Sequence, residues 1–374
     1  MRVGILAAET GHGHISVANA LKQAFEKQAI EADVYPSFYE DLMVSNRIIS
    51  DYYNFLMSTS PQLCYKFSEL SYRTRPDLSE EFYLGVEGKL KEFILTHKYD
   101  VLVSTSHTIN HAIIRALKEL ELYDKVNFYI VITDPYIPIS VGFDIKGAKR
   151  YFCSSKKVKE YIAKNVEESK ISVTAFPIKE MFLKEYSKEE IRAIYKKLRL
   201  RVRKKILLIN SGSQGSFHSK EFLKEAMAYS DDLQIIFICG KNEALYELVK
   251  FIVGKKNERV RVLQYVDNMN DLLKISDFVV TKAGANSFFE CFYMHKPMLI
   301  DSLEGFLYQE KGVCQLLQEK EVGTVVDSIE KFREVLGKMM IQDSYLEFLK
   351  QYDDVNPENG ADAIVKEILE ECKV

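Results

Sequence analysis

What most constrains this chain is a pattern it repeats: a short apolar run, a turn of glycine and small polar residues, then apolar residues at helical spacing. Near the N-terminus Val3 to Ala8 runs into Glu9-Thr10-Gly11-His12-Gly13-His14, and Val17, Ala20, Leu21 and Phe25 follow. In the second half Ile206 to Ile209 runs into Asn210-Ser211-Gly212-Ser213-Gln214-Gly215-Ser216. Further on, Phe278, Val279 and Val280 stop at Thr281-Lys282-Ala283-Gly284, and Phe288, Phe289, Phe292 and Tyr293 lead to Pro297 and another run, Met298 to Ile300. Runs this short read as buried strands rather than helices. Strands alternating with helices build parallel sheets covered on both faces. In such sheets the turn after a strand aims free backbone N–H groups at the ligand edge, which suits a phosphate or a sugar.

At 374 residues the chain exceeds what one core usually holds, so two domains are expected. The junction is marked by Ser187-Lys188-Glu189-Glu190, a capping box opening a helix to about Leu198. A basic run over 196–205 follows, and the alternation then restarts. These signals divide the chain into an N-terminal unit over 1–185, a second unit over 186–355 and a terminal helix over 356–374 that could pack back on the first. Both units read as α/β and Rossmann-like, facing each other across a cleft.

A formal charge of −3 gives no support for nucleic-acid binding as the main task. The six cysteines (Cys64, Cys153, Cys239, Cys291, Cys314, Cys372) show no CxxC pair and no zinc spacing, and read as free thiols in a reducing compartment. No signal peptide and no membrane-length apolar run is visible, so the expectation is a cytoplasmic protein whose membrane contact is peripheral.

Three strand ends in the first half carry titratable groups toward one rim: His14 after the first strand, His107 in Ser104-Thr105-Ser106-His107, and Asp134 in Thr133-Asp134-Pro135. His12 shares the loop of His14. The third glycine of the dinucleotide fingerprint is missing, which speaks against a nicotinamide cofactor. Ser211 to Ser216 suits a diphosphate without any metal. Glu290, early in its helix, is placed to accept hydrogen bonds from a diol such as ribose; the alternative is a packing turn with a solvated acid. The segment from Asp51 to Arg75 interleaves Tyr52, Tyr53, Phe55, Tyr65, Phe67 and Tyr72 with Lys66, Arg73 and Arg75. It suits an anionic lipid surface, or else two helices packed on the sheet.

Taken together, these motifs resemble family 28 glycosyltransferases that make glycolipids, and they run in the family's order over nearly the whole chain. Thr10 to Ser16 resembles the family's TGxGHxS loop, and Ser211 to Gly215 its GGxxG turn. Cys239-Gly240-Lys241-Asn242 is similar to its CGxN, and Tyr265-Val266-Asp267-Asn268-Met269 to its FVxxM. Thr281 to Gly284 with Ser287 and Glu290 resembles its TKPGxxTxxE. The likeness is to the diacylglycerol glycosyltransferases, with the peptidoglycan N-acetylglucosaminyltransferase a more distant cousin.

The resemblance implies a GT-B fold and an inverting, metal-independent transfer of a hexose from a UDP-sugar to diacylglycerol or a related lipid at an anionic membrane surface. It places catalysis on His14 and Asp134. Val266 falls at the uracil contact, Glu290 at the ribose hydroxyls, Ser213, Gln214 and Gly215 at the diphosphate, and Gln309 at the sugar. Gly13, Lys179, Asn242, Gly284, Ala285, Ser287 and Glu310 complete the donor side; His12, His107 and Tyr136 lie on the acceptor side. No cofactor or metal is implied.

The sequence departs from the family at several points. No His or Trp follows Asp134, and the chain contains no Trp. Lys179 stands at the Arg of the family's GxPxR and lacks its bidentate geometry. Val313 stands at the Asn of its QExxN, and Thr108 at the Pro of its STHP. A soluble or polyprenyl-linked saccharide as acceptor, or a UDP-sugar-binding module without catalysis, therefore stay open as readings.

Overall fold

A computed structural model describes residues 1–10, 13–255, 257–353, 355 and 358–372. The first half runs β1 (Val3–Leu6), α1 (Gly13–Lys27), β2 (Ala32–Tyr35), α2 (Phe38–Leu42), α3 (Val44–Thr59), α4 (Pro61–Thr74), α5 (Glu80–His97), β3 (Val101–Ser104), α6 (Asn110–Glu119), β4 (Asn127–Val131), β5 (Arg150–Cys153), α7 (Lys156–Ile162) and β6 (Ile171–Val173). The second runs α8 (Lys188–Leu198), β7 (Lys205–Asn210), α9 (Ser219–Tyr229), β8 (Leu233–Ile238), α10 (Glu243–Val253), β9 (Val260–Leu263), α11 (Met269–Ile275), β10 (Phe278–Thr281), α12 (Ala285–Tyr293), β11 (Met298–Asp301), α13 (Glu310–Lys320), β12 (Gly323–Val326), α14 (Ile329–Met340) and α15 (Gln342–Lys350). A last helix, α16 (Gly360–Cys372), follows.

Each half forms a six-stranded parallel sheet, in the orders β2-β1-β3-β4-β5-β6 and β12-β11-β10-β7-β8-β9. The strands are mostly apolar because helices cover both faces; β1 and β8 are buried at every position. The capping box holds as expected: Ser187 Oγ accepts from Glu190 N at 3.2 Å while the Glu190 carboxylate accepts from Ser187 N at 2.8 Å.

In both sheets the chain reverses its direction of growth beside the first strand, at β1/β3 and at β7/β10. The diverging helices leave a crevice there at the carboxyl ends of the strands, which is where open α/β sheets take ligands. The glycine-bearing turns after β1, β7 and β10 therefore lie at the two crevices.

One apolar layer joins the halves. It passes from Val3, Ile5 and Val103 of the first sheet through Leu21 and Phe25 of α1 and Phe288, Phe289 and Phe292 of α12 to Leu208, Val279 and Ile300 of the second. Phe176 stacks on Phe289 across this junction, with centroids 4.4 Å apart. Helix α16 returns to the first half: Ile364 and Ile368 are buried in the same layer, Lys27 Nζ lies 2.9 Å from an Asp362 carboxylate oxygen, and Arg150 pairs with Glu371.

The Asp51 to Arg75 segment forms most of α3 and all of α4. Only one side of this pair packs inward. Leu56 and Cys64 close on Leu307 of the second half, while Val44, Ile48, Tyr52 and Phe55 of α3 and Leu63 and Leu70 of α4 are exposed.

Candidate active site

His14 sits in the first turn of α1, at the β1/β3 crevice, and is partly buried. Its Nδ1 lies 2.7 Å from the Thr105 carbonyl oxygen, just past β3, and 3.2 Å from Thr133 Oγ1, just past β4. A carbonyl oxygen can only accept, so Nδ1 carries the proton and Nε2 keeps its lone pair. Burial, with the neighbouring His107 adding to it, lowers the His14 pKa to about 3 against the opposing Thr105 contact. The ring is therefore neutral at physiological pH. His107 lies beside it, centroids 5.6 Å apart, its Nδ1 held by the Val141 carbonyl at 3.0 Å and its pKa lowered by burial to about 4. The strand-end cluster expected on the first half thus includes a real His pair. Asp134 does not pair with the His14 ring. Its carboxylate accepts from Ser140 N at 2.7 Å, and burial pushes its pKa up to about 6. His12 lies outside the described residues.

On the second half, the turn carrying Ser213, Gln214 and Gly215 interlocks with the one carrying Gly240 and Lys241. Lys241 N donates to Ser213 O at 2.7 Å. Gly215 and Gly240 have φ of +64° and +63°, and a Cβ on either would stand 2.3 Å from a backbone oxygen of the other turn. Only glycine fits both demands. Asn242 caps α10, its Oδ1 accepting from Leu245 N at 2.9 Å. Gln214 and Lys241 face Glu9, Ile15, Asp51, Asn54 and Phe55 across a cleft of about 430 Å³, the size of a small-molecule site.

Gly284 precedes α12, whose first turn contains Ala285 and Ser287. Between them Asn286 Nδ2 donates to Gly13 O at 3.2 Å, bringing the N-terminal ends of α12 and α1 together across the cleft. Asn286 Oδ1 is buried without a partner among the described residues. An unsatisfied buried acceptor costs about 1–3 kcal/mol, a cost that a ligand donor would remove. Glu290, one turn further on, is opposed by Lys179; burial dominates and raises its carboxyl pKa to about 8. Val266 is half-buried against the apolar layer.

Gln309 and Glu310 lead into α13. Gln309 Nε2 donates to Tyr53 Oη of α3 at 3.3 Å. Around it Lys311 bonds Tyr65 Oη at 2.9 Å and Tyr308 packs on Tyr72 at 5.0 Å. The Glu310 carboxylate accepts from Leu307 N at 2.8 Å, and burial raises its pKa. Tyr136, expected on the acceptor side, and Val313, a departure from the family motif, are both buried. The Tyr136 hydroxyl is shared by Glu319 and Lys157 at the junction of the halves. Val313, at the site of a sugar-binding Asn in the motif, is buried in the core.

Sequence reasoning missed Tyr53 as a partner of Gln309, Asn286, and the pair His218–Asp301, in which Nε2 lies 2.5 Å from Oδ2. His218 could have been found by the rule that found His14, since it too follows a glycine turn at a helix start.

The two halves match two families separately. Residues 14–178 match monogalactosyldiacylglycerol (MGDG) synthase, and residues 206–305 match the glycosyltransferase family 28 C-terminal domain. A processive diacylglycerol beta-glucosyltransferase of Bacillus subtilis is 24% identical over 388 residues, covering 100% of this chain and 96% of the relative. One of Bacillus pumilus is 26% identical over 379 residues, covering 99% and 95%. Among solved structures, MnaA of S. aureus with UDP superposes with a TM-score of 0.64 at 15% identity, covering 100% of this chain and 97% of the other. MurG of Acinetobacter baumannii gives 0.64 at 14% identity, covering 99% of both. These two establish the GT-B fold that the sequence implied. The first half thus carries a segment similar to monogalactosyldiacylglycerol synthase and the second half one similar to the family 28 C-terminal domain, in a chain whose full-length relatives at 24–26% identity are glycosyltransferases.

Proposed function

We propose that this protein transfers a hexose from a UDP-sugar to diacylglycerol or a related lipid, with inversion and without a metal ion, at an anionic membrane surface. The observation that carries the reading is the tautomer of His14, whose neighbour Ile15 lines the cleft opposite Gln214 of the glycine turn after β7. Nε2 takes the proton of the acceptor hydroxyl as its oxygen bonds to the anomeric carbon. The bond from that carbon to the diphosphate breaks, and its electron pair leaves on the β-phosphate. The backbone N–H groups around Ser213 to Gly215 and the start of α12 receive that charge. Base and leaving group on opposite walls favour a single displacement, which inverts the carbon. Glu290 accepts from the ribose hydroxyls, Lys179 compensates charge, and Asp134 shapes the rim through Ser140.

The curated relatives are named as diacylglycerol glucosyltransferases, which supports the lipid acceptor. Among the described residues no helix is long and apolar enough to cross a membrane. The exposed face of α3 and α4 supplies a peripheral contact instead: Val44, Ile48, Tyr52 and Phe55 recur at helical spacing, and Lys66 and Arg73 follow Leu63 and Leu70 on α4. The test is incubation with UDP-glucose or UDP-galactose and diacylglycerol vesicles containing anionic lipid, read by mass spectrometry in EDTA. A glycolipid of β configuration is expected from an α-linked donor; none from any lipid acceptor refutes the reading. The buried Tyr136, with no His or Trp after Asp134, favours as a second reading a polyprenyl-linked or soluble saccharide acceptor, which the same assay with those acceptors decides.

A further inference from the structure

The loop that carries His14 is held by α2 and α3. Glu9 opens the turn that leads to His14, and it lines the cleft together with Gln214 and Lys241. Its backbone N–H donates to Glu40 Oε1 at 3.0 Å, and its carbonyl accepts from Asn54 Nδ2 at 3.4 Å. Its carboxylate accepts from Ser37 Oγ and lies 3.6 Å from Arg47 Nη1. Arg47, Ser50 and Asn54 recur at helical spacing along one side of α3. Ser50 Oγ donates to the same Glu40 Oε1 at 2.7 Å. One carboxyl oxygen thus joins α3 to the backbone just ahead of His14.

Packing alone does not account for Glu40. It is 2% exposed beside the buried Phe38, Tyr39 and Leu42 of α2, and among the described residues no cation stands within 4.0 Å of its carboxyl. Its Oε2 is buried with no hydrogen-bond partner among the described residues. Burial raises its pKa against the pull of Ser50 and the Glu9 N–H. A carboxyl buried without a cation is costly, and an apolar side chain would fill the same space at lower cost. What the carboxyl supplies is an acceptor for the Glu9 N–H, which lies beyond the end of β1 and outside the sheet ladder. The other side of α3 carries the exposed Val44, Ile48, Tyr52 and Phe55. A helix moves as a rigid rod, so α3 cannot settle on a surface without carrying Arg47, Ser50 and Asn54 with it.

We propose that Glu40 is a positioning residue that ties the His14 loop to α3, so that seating of α3 on a lipid surface sets the loop for transfer. Glu40 does not touch the reacting atoms; it acts through the Glu9 backbone on the ring beyond. The proposal rests on the transferase reading above. A misplacement of about 1 Å costs about 10²-fold in rate, so a small shift of α3 is enough to matter. The gain falls on turnover and not on nucleotide affinity, because the groups assigned to the diphosphate and ribose belong to the second half.

The test measures kcat on diacylglycerol in anionic vesicles for Glu40→Ala and Glu40→Gln, each also in the His14→Ala background. UDP affinity by calorimetry and sedimentation with the vesicles are read on the same proteins. Glu40→Ala is expected to lower kcat by about 10- to 100-fold. UDP affinity and sedimentation should hold within about threefold. Glu40→Gln keeps Oε1 as an acceptor and should restore kcat to within about threefold of wild type. In the His14→Ala background Glu40→Ala should cost less than about twofold, since residues that act as a unit are not additive. A merely structural role would lower the rate by the same factor in both backgrounds. The Glu9 amide should exchange hydrogen more slowly when anionic vesicles without diacylglycerol are added, and Ser50→Ala should remove that effect. Unchanged kcat in Glu40→Ala, an equal loss in both backgrounds, or a Glu9 amide indifferent to vesicles would overturn the proposal while the transferase stands. Wild-type protein that transfers to no acceptor would instead overturn the transferase reading, and the positioning role with it.

Discussion

Because the Thr105 carbonyl fixes the proton on His14 Nδ1, the ring offers Nε2 as a base without first having to lose a proton. Removing the ring should therefore cost turnover and not binding. For His14→Ala we expect kcat to fall by about 10²–10⁴-fold, the usual range for a general base. UDP affinity measured by calorimetry should stay within about threefold; a large loss of affinity would contradict the role. Glu290 behaves oppositely. Burial puts its pKa at about 8 in the folded protein against an ordinary value of 4.5, so folding favours the protonated carboxyl. That stability is fully present below the unfolded pKa and is lost as pH rises through about 8. Ribose hydroxyls donating to the carboxylate would pull the pKa down, so UDP should bind more weakly as pH falls below about 8 and release a proton on binding between the two pKa values. Heats measured in two buffers of different ionisation enthalpy report that proton. Glu290→Gln, which mimics the protonated acid, should lose UDP affinity yet melt higher than wild type at pH 8.5. A variant that keeps UDP affinity would return Glu290 to a packing role.

At the scale of elements, α3 and α4 combine two tasks on opposite faces. The inner face holds the Gln309 loop through Tyr53, Tyr65 and Leu56, and the outer face leaves a stripe of exposed apolar residues. Replacing Ile48 and Leu70 by serine touches only the outer face. We expect it to weaken sedimentation with anionic vesicles by about tenfold per residue, the equivalent of roughly half the transfer energy of a leucine-sized side chain. UDP affinity should not change, and vesicle binding equal to wild type would dismiss the membrane role of the stripe. The aromatic content of this segment was legible in the sequence, but its division between two faces was not. Helical spacing shows which residues share a face, and only the packed second half shows which face is covered. His218 was overlooked for a related reason: its partner Asp301 lies 83 residues away on another strand.

Over the whole molecule, the halves share an apolar layer that α16 completes from the far end of the chain. Ile364 of that helix is 0% exposed, buried in the same cluster as Leu21 and Phe25 of α1. Ile364→Ala should lower stability by about 2–5 kcal/mol through lost transfer energy and a cavity. The measurement is the midpoint of chemical denaturation followed by circular dichroism; a shift confined to fraying of the terminal helix would show that α16 does not tie the halves together.

Local signals alone determined the class of fold and the positions of its turns. Each short apolar run had to be a buried strand, and each glycine turn after one had to sit at the ligand edge, because strand length, turn chemistry and helix start are all encoded by adjacent residues. His14 and Glu290 were visible in this way, and Gln309 through the family resemblance. What only the tertiary structure decided is how the turns meet: the Nδ1 proton of His14 set by Thr105, the Asn286 contact to Gly13, the burial of Tyr136 at the junction of the halves, and the small pocket around His218. Each of these is a contact between segments distant in the sequence, set by the register of two sheets and the closure of one half on the other, and no local pattern records that geometry.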